Sequence, residues 1–349
     1  MAEGLSEAER IRRLVESLLD VSVTGVRLLE GALSTRRFYR VRTSGEPDSL
    51  VARVDAPEHA DRRPTDAAPE PPLEPLRRYL ARQGLPVPRR YGGDPCAGID
   101  LLEDLGSRSL EDAAKAATPE GRRLLYAEVV DLVPPLQRLP DADLPAFQRR
   151  LDADLFAFKA RLFASHSLPA ALGREASGAE TAAVGDAFAW IAAQAAAAPA
   201  RLAHRDLQSR NVLLRPDAPP GDRMVLIDLQ GAFLAPPEYD LVCLLRDSYV
   251  ELPWSEVEAH CARVRPELPD APDAETFARR FDLLTLTRKG KDHARFLQAA
   301  RGGDPRYLHH LPATVRALQG AAARCAGLDP RLGRLAELVA RLPEIPCAP

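Results

Sequence analysis

Residues 202–216 read LAHRDLQSRNVLLRP and residues 223–231 read RMVLIDLQG, with a Pro- and Gly-rich turn between them. His204-Arg205-Asp206 is followed after four residues by Asn211. Two apolar runs joined by the turn then form a hairpin that brings Asp228 to the same end as Asn211. In phosphoryl transfer one carboxylate accepts or orients the attacking hydroxyl, while an amide oxygen and a second carboxylate hold Mg²⁺ on the nucleotide phosphates. The spacing supplies all three, with Asp206 as the base and Asn211 and Asp228 as the metal ligands. HRD alone is a tripeptide that any loop can carry. Joined to the correctly spaced Asn, the strand pair and the second Asp, it specifies a kinase-type site. His204 is read as a buried, hydrogen-bonded support of the loop rather than a proton-transfer group.

Composition narrows the classes further. The chain has 349 residues, enough for two lobes around a sizeable core. Its 47 Lys and Arg against 50 Asp and Glu lack the basic excess of a sequence-independent nucleic-acid binder. The five cysteines form no CxxC pair, which fits a reducing compartment and no structural zinc. The charged start MAEGLSEAERI is unlike a signal peptide, and the most apolar stretch, 187–203, contains Gln194 and is interrupted by Pro199, so it makes a poor membrane span. The expectation is a cytoplasmic protein without nucleic-acid, membrane or protein partners.

Residues 6–20 open with Ser6 and a Glu three positions later, a capping box ahead of an amphipathic helix. Segments 21–30, 36–43 and 49–56 are rich in β-branched and aromatic residues and separated by turns, which predicts an antiparallel meander. A Pro-rich loop, a helix at 73–84 and a strand within 98–106 follow. Helices are expected at 119–139, 145–164, 179–198, 239–250, 254–264, 273–300, 304–319 and 328–341. The resulting class is α+β and bilobal, with a small β-rich lobe over 1–106 and a large helical lobe over 107–349.

The HRDLQSRN block, together with IDLQGAFLAPPEYDLVCLLRDSYVELPW, RRFYRV, VDAPEH and LLEDLG in that order, resembles the aminoglycoside phosphotransferase-like kinases of the protein-kinase-like fold. Within them it is most similar to the bacterial N-acetylmuramate/N-acetylglucosamine anomeric kinases of cell-wall recycling. The resemblance runs from about Leu29 to Leu318 and is most specific over 204–254. It implies ATP with Mg²⁺ as phosphoryl donor and the anomeric hydroxyl of a small amino sugar as acceptor. It also implies that Ser34 and Thr35, in the loop between the first two strands, contact phosphate. Main-chain groups of Glu103 to Leu105 would face the adenine in the link between lobes, and Asp240 would support the catalytic loop.

The third strand departs from the family pattern. Arg53 stands where a phosphate-pairing Lys is usual, and its carboxylate partner stays open among Glu58, Glu70 and Glu74. On the acceptor side, Gln208 is a candidate hydrogen-bonding group. Arg288, Lys291 and Arg295 share one face of a predicted helix, either as a cationic surface for a lactyl carboxylate or as a solvated one. Two other functions remain in view: an antibiotic kinase, whose polycationic acceptor would call for an acidic pocket, and a catalytically weak nucleotide-binding regulator, suggested by the missing Lys.

Overall fold

A computed structural model describes residues 6–29, 36–55 and 70–344. The chain divides into two compact units, one made of Met1–Pro69, Pro86–Ser107 and Leu214–Val225, the other of Glu70–Leu85, Arg108–Leu213 and Leu226–Pro349.

In the first unit the capping box forms as the sequence predicts. Ser6 accepts the Glu9 N–H and Glu9 accepts that of Ser6, which starts the helix Glu7–Leu19 and turns Ile11 and Val15 inward. The meander appears as β1 (Val23–Leu28), β2 (Arg37–Thr43) and β3 (Ser49–Val54). β4 (Arg90–Asp94) and β5 (Ile99–Glu103) complete an antiparallel sheet in the order β1-β2-β3-β5-β4. Ile11, Val15, Val41, Leu50, Ala52, Ile99 and Leu101 form its core. The edge strand β4 escapes sequence reading because two glycines occupy it. They serve packing: a Cβ at Gly92 would stand 2.9 Å from Leu18, and one at Gly93 would collide with the Ile99 main chain.

The second unit is mainly helical. Among the described residues no helix is long and apolar enough to cross a membrane. The expected 239–250 helix ends at Leu245, the 304–319 run is a 3₁₀ turn Pro305–His310 that passes into the helix Leu311–Cys325, and two others are broken. The 119–139 run becomes Pro119–Val130 and Val133–Gln137, where Pro134 and Pro135 offer no N–H to continue the first ladder. The 145–164 run stops at Gln148, because Arg149 and Leu151 exchange main-chain bonds of 2.8 and 2.9 Å with Leu234. It restarts as Ala153–Leu162, capped by Asp152. Leu234 lies in β9 (Phe233–Ala235), the antiparallel partner of β6 (Arg201–Ala203). The predicted hairpin is present as β7 (Val212–Leu214) and β8 (Met224–Leu226). The helix Ala274–Arg301 is buried along its middle, and that stretch carries Asp282, Arg288, Lys289, Asp292 and His293 as well as apolar residues.

Candidate active site

β6 delivers the chain to a loop whose main chain is held by two buried carboxylates. Asp240 accepts the N–H groups of His204 and Arg205 at 2.6 and 3.0 Å. Asp247 accepts that of Ser209 at 2.9 Å and the Ser209 hydroxyl as well. Asp240 sits in the first turn of the short helix Tyr239–Leu245, and Asp247 lies two residues beyond its end. Arg205 adopts φ +79°, a left-handed conformation that a non-glycine residue keeps only when its surroundings enforce it. Asp240 grips its N–H, and the Cys243 thiol donates to its carbonyl at 3.2 Å. The supporting role expected of Asp240 is thus what the geometry contains; nothing in the local pattern marked Asp247. His204 is buried and its Nε2 bonds to the Ile227 carbonyl at 2.8 Å, tying the loop to the residue before Asp228.

Asp206 leads the turn, its carbonyl accepting the Gln208 N–H and the Asn211 side-chain amide, both at 2.8 Å. Its carboxylate meets the Arg288 guanidinium at 2.7 Å, with Arg205 at 3.8 Å. Burial alone would raise its pKa, but the charges of Arg288, Lys291 and Arg205 outweigh burial and hold it well below the usual carboxylate range. Asp206 is therefore ionised.

The helix that supplies Arg288 does not present the solvated basic face its spacing allows. Arg288 is 2% exposed and bridges Asp206 and Asp292, the latter at 3.5 Å. Lys291 remains partly exposed, 3.4 Å from Asp292, and Arg295 bonds Gln298 at 2.7 Å and lies over the Phe158 ring. Carboxylates at positions 206 and 292 draw the first two inward, and position 295 lies beyond them.

Asn211 and Asp228 come together through the main chain, because the Ile227 N–H donates to the Asn211 carbonyl at 3.0 Å. The Asn211 amide nitrogen is spent on Asp206, so its oxygen is the acceptor that remains. Asp228, at φ +64°, takes a 2.5 Å hydrogen bond from Gln230. One amide oxygen and one carboxylate suit a hard divalent cation that draws its other ligands from phosphate and water. Among the described residues no group of three or more His, Cys, Asp or Glu could hold a metal ion, and such a cation needs none.

In the first unit, Ser34, Thr35 and Glu58 lie outside the described residues. Arg53 is buried in β3 and paired with Asp55 at 2.6 Å and with Asp100, across the strand pair, at 3.1 Å. Glu70 and Glu74 instead pair with Arg205 at 3.2 Å and Arg77 at 2.6 Å. Among the described residues, Arg53 thus also pairs with carboxylates at the end of its own strand and on the neighbouring one, Asp55 and Asp100, which sequence reading did not consider. The Glu103 side chain binds Arg215 at 3.0 Å, and Leu105 is buried.

Residues 25–281 match the phosphotransferase enzyme family. The chain belongs to this family. N-acetylmuramate/N-acetylglucosamine kinase of Pseudomonas aeruginosa is 31% identical over 89% of this chain and 86% of its own. The protein of the same name from Neisseria meningitidis is 26% identical over 87% of each. Among solved structures, choline kinase of Streptococcus pneumoniae superimposes with a TM-score of 0.59 at 16% identity, over 90% of this chain and 98% of that one. An ADP-bound aminoglycoside phosphotransferase gives 0.56 at 13% identity, over 90% and 97%. These likenesses establish the protein-kinase-like fold.

The phosphotransferase carries one further charge near its site that sequence reading missed. Lys159 is 5% exposed, and its ammonium lies 5.1 and 5.3 Å from the ring centres of Phe156 and Tyr239, with no hydrogen-bond partner among the described residues. Burial, then the charges of Lys291 and Arg288, bring its pKa down to about 7. Only its spacing from Phe156, one helical turn earlier, hinted that it faces the core.

Proposed function

We propose that this phosphotransferase uses ATP and Mg²⁺ to phosphorylate the anomeric hydroxyl of N-acetylmuramate and N-acetylglucosamine, a cytoplasmic step of peptidoglycan recycling. The observation that carries the reading is the ionised Asp206 set beside Asn211 and Asp228, in a chain whose relatives named for these sugars match it over most of both lengths. The sugar hydroxyl donates to Asp206, its oxygen forms the new bond to the γ-phosphorus as the bond to ADP breaks, and its proton passes to the Asp206 carboxylate. The Arg288 guanidinium favours the ionised carboxylate, which makes Asp206 an orienting acceptor first and a proton acceptor late in transfer. Arg288 positions it. Asn211 and Asp228 hold Mg²⁺, which when bound offsets charge on the nucleotide phosphates.

Gln208 and Lys291 serve the acceptor, Lys291 by pairing with the lactyl carboxylate that only N-acetylmuramate carries. Ser34, Thr35, Arg53 and the Glu103–Leu105 main chain serve the nucleotide. The cations grouped around Asp206, namely Arg205, Arg288 and Lys291, oppose a polycationic antibiotic as acceptor. The intact Asp206, Asn211 and Asp228 oppose a catalytically weak regulator. Incubation with ATP, Mg²⁺ and a panel of amino sugars, aminoglycosides and choline tests the assignment by product mass. N-acetylmuramate and N-acetylglucosamine should be the preferred acceptors; preference for an aminoglycoside or choline would replace the reading.

A further inference from the structure

Away from the loop, the second unit contains a cavity of about 440 Å³ whose lining includes four arginines, Arg122, Arg246, Arg316 and Arg324, one carboxylate, Glu251, and the Trp254 ring. Three of these arginines are satisfied by two-point pairing with a carboxylate. Arg122 meets Glu256 at 3.2 and 2.8 Å, Arg316 meets Glu251 at 2.8 and 2.6 Å, and Arg324 meets Asp282 at 2.7 Å twice. The Arg246 guanidinium has no such partner among the described residues, and its Nε is buried without a hydrogen bond. It lies 5.4 Å from the Trp254 ring centre, and Arg324 stacks on the same indole at 3.9 Å. Arg246 is half-buried beside Arg324, and the Asp282 and Glu251 carboxylates, already engaged by Arg324 and Arg316, act on it without a direct bond. The group thus carries one more cation than anion, and a further anion would balance it. Gly320, in the helix Leu311–Cys325, also lines the cavity, and a side chain there would point beside the Arg324 guanidinium, 3.4 Å from the Cβ position.

We propose that this cavity is a second ligand site, taking a small molecule whose oxyanion, a phosphate ester or a carboxylate, lies between Arg246 and Arg324. Guanidinium forks suit either anion. No wall residue belongs to the 204–211 loop, so the site is separate from the phosphoryl-transfer residues. It is tied to them by one peptide bond, because Asp247, which holds Ser209, follows Arg246. A bound anion steadies the segment that anchors the catalytic loop.

The full chain with Trp190→Phe leaves Trp254 as the sole tryptophan, and its fluorescence is followed while phosphate or citrate replaces chloride at constant ionic strength. A saturable change is expected, with half-saturation moved at least about tenfold by Arg246→Met, the effect of losing a charge-assisted bond. Gly320→Glu, which puts a carboxylate into the cavity, should abolish the change and provides the test if Arg246→Met fails to fold. Arg246→Met should also melt higher than its parent without anion and gain nothing from anion. Saturation by phosphate alone assigns phosphate esters, and by citrate alone carboxylates. No saturable change, or the same titration in parent and variants, would overturn the proposal.

Discussion

Lys159 places an ammonium where the fold disfavours charge, and this gives a pH signature. Its pKa falls from 10.5 to about 7 on folding, so between those values the unfolded chain binds more protons and stability rises with pH. Lys159→Met keeps the buried stem and removes the charge. The variant should be more stable than wild type by urea denaturation at pH 6, with the gain shrinking by up to about tenfold in equilibrium constant per pH unit above 7. An equal gain at pH 6 and pH 9.5 would mean that charge burial is not the cause. Lys291→Met should raise KM for N-acetylmuramate about tenfold more than for N-acetylglucosamine, since only the former carries a carboxylate. Equal effects on both sugars would remove Lys291 from the acceptor site. That Asp206, Asn211 and Asp228 come near one another was legible because their spacing is local in sequence. The partner of Asp206 was not, because Arg288 reaches it across 82 residues, and only the packing of a helix against the loop brings them together.

Helix Leu110–Ala116 illustrates how an element with little chemistry of its own steadies a site. Ser109 caps it by accepting the Asp112 N–H, and its first turn offers Glu111 to Arg210 of the 204–211 loop at 2.5 Å. Ser109→Ala should cost about 1 kcal/mol of stability and, by loosening Glu111, lower kcat. Denaturation with no loss of stability would contradict the capping assignment. The helix Glu7–Leu19 and the meander were readable from caps and alternation, which act within a few residues. The break at residues 149–151 was not, because the bonds that interrupt the helix go to Leu234, far along the chain. The edge strand β4 was hidden by Gly92 and Gly93, whose missing side chains make room for Leu18 and the Ile99 main chain.

At the scale of the whole chain, the antiparallel sheet and the helical remainder follow from where alternating and helical periodicities change over, and the phosphotransferase family matches across that change. The account rests on Asp206 acting on one particular hydroxyl. N-acetylmuramate and its methyl glycoside, in which the anomeric oxygen is blocked, are each incubated with ATP, Mg²⁺ and either wild-type enzyme or Asp206→Asn, and the products are followed by phosphorus NMR. Wild type should convert the free sugar to a phosphate coupled to the anomeric proton and leave the methyl glycoside untouched, while Asp206→Asn should slow conversion by about 10²–10⁴-fold. Phosphorylation of the methyl glycoside, or an Asp206→Asn enzyme as fast as wild type, would contradict the account.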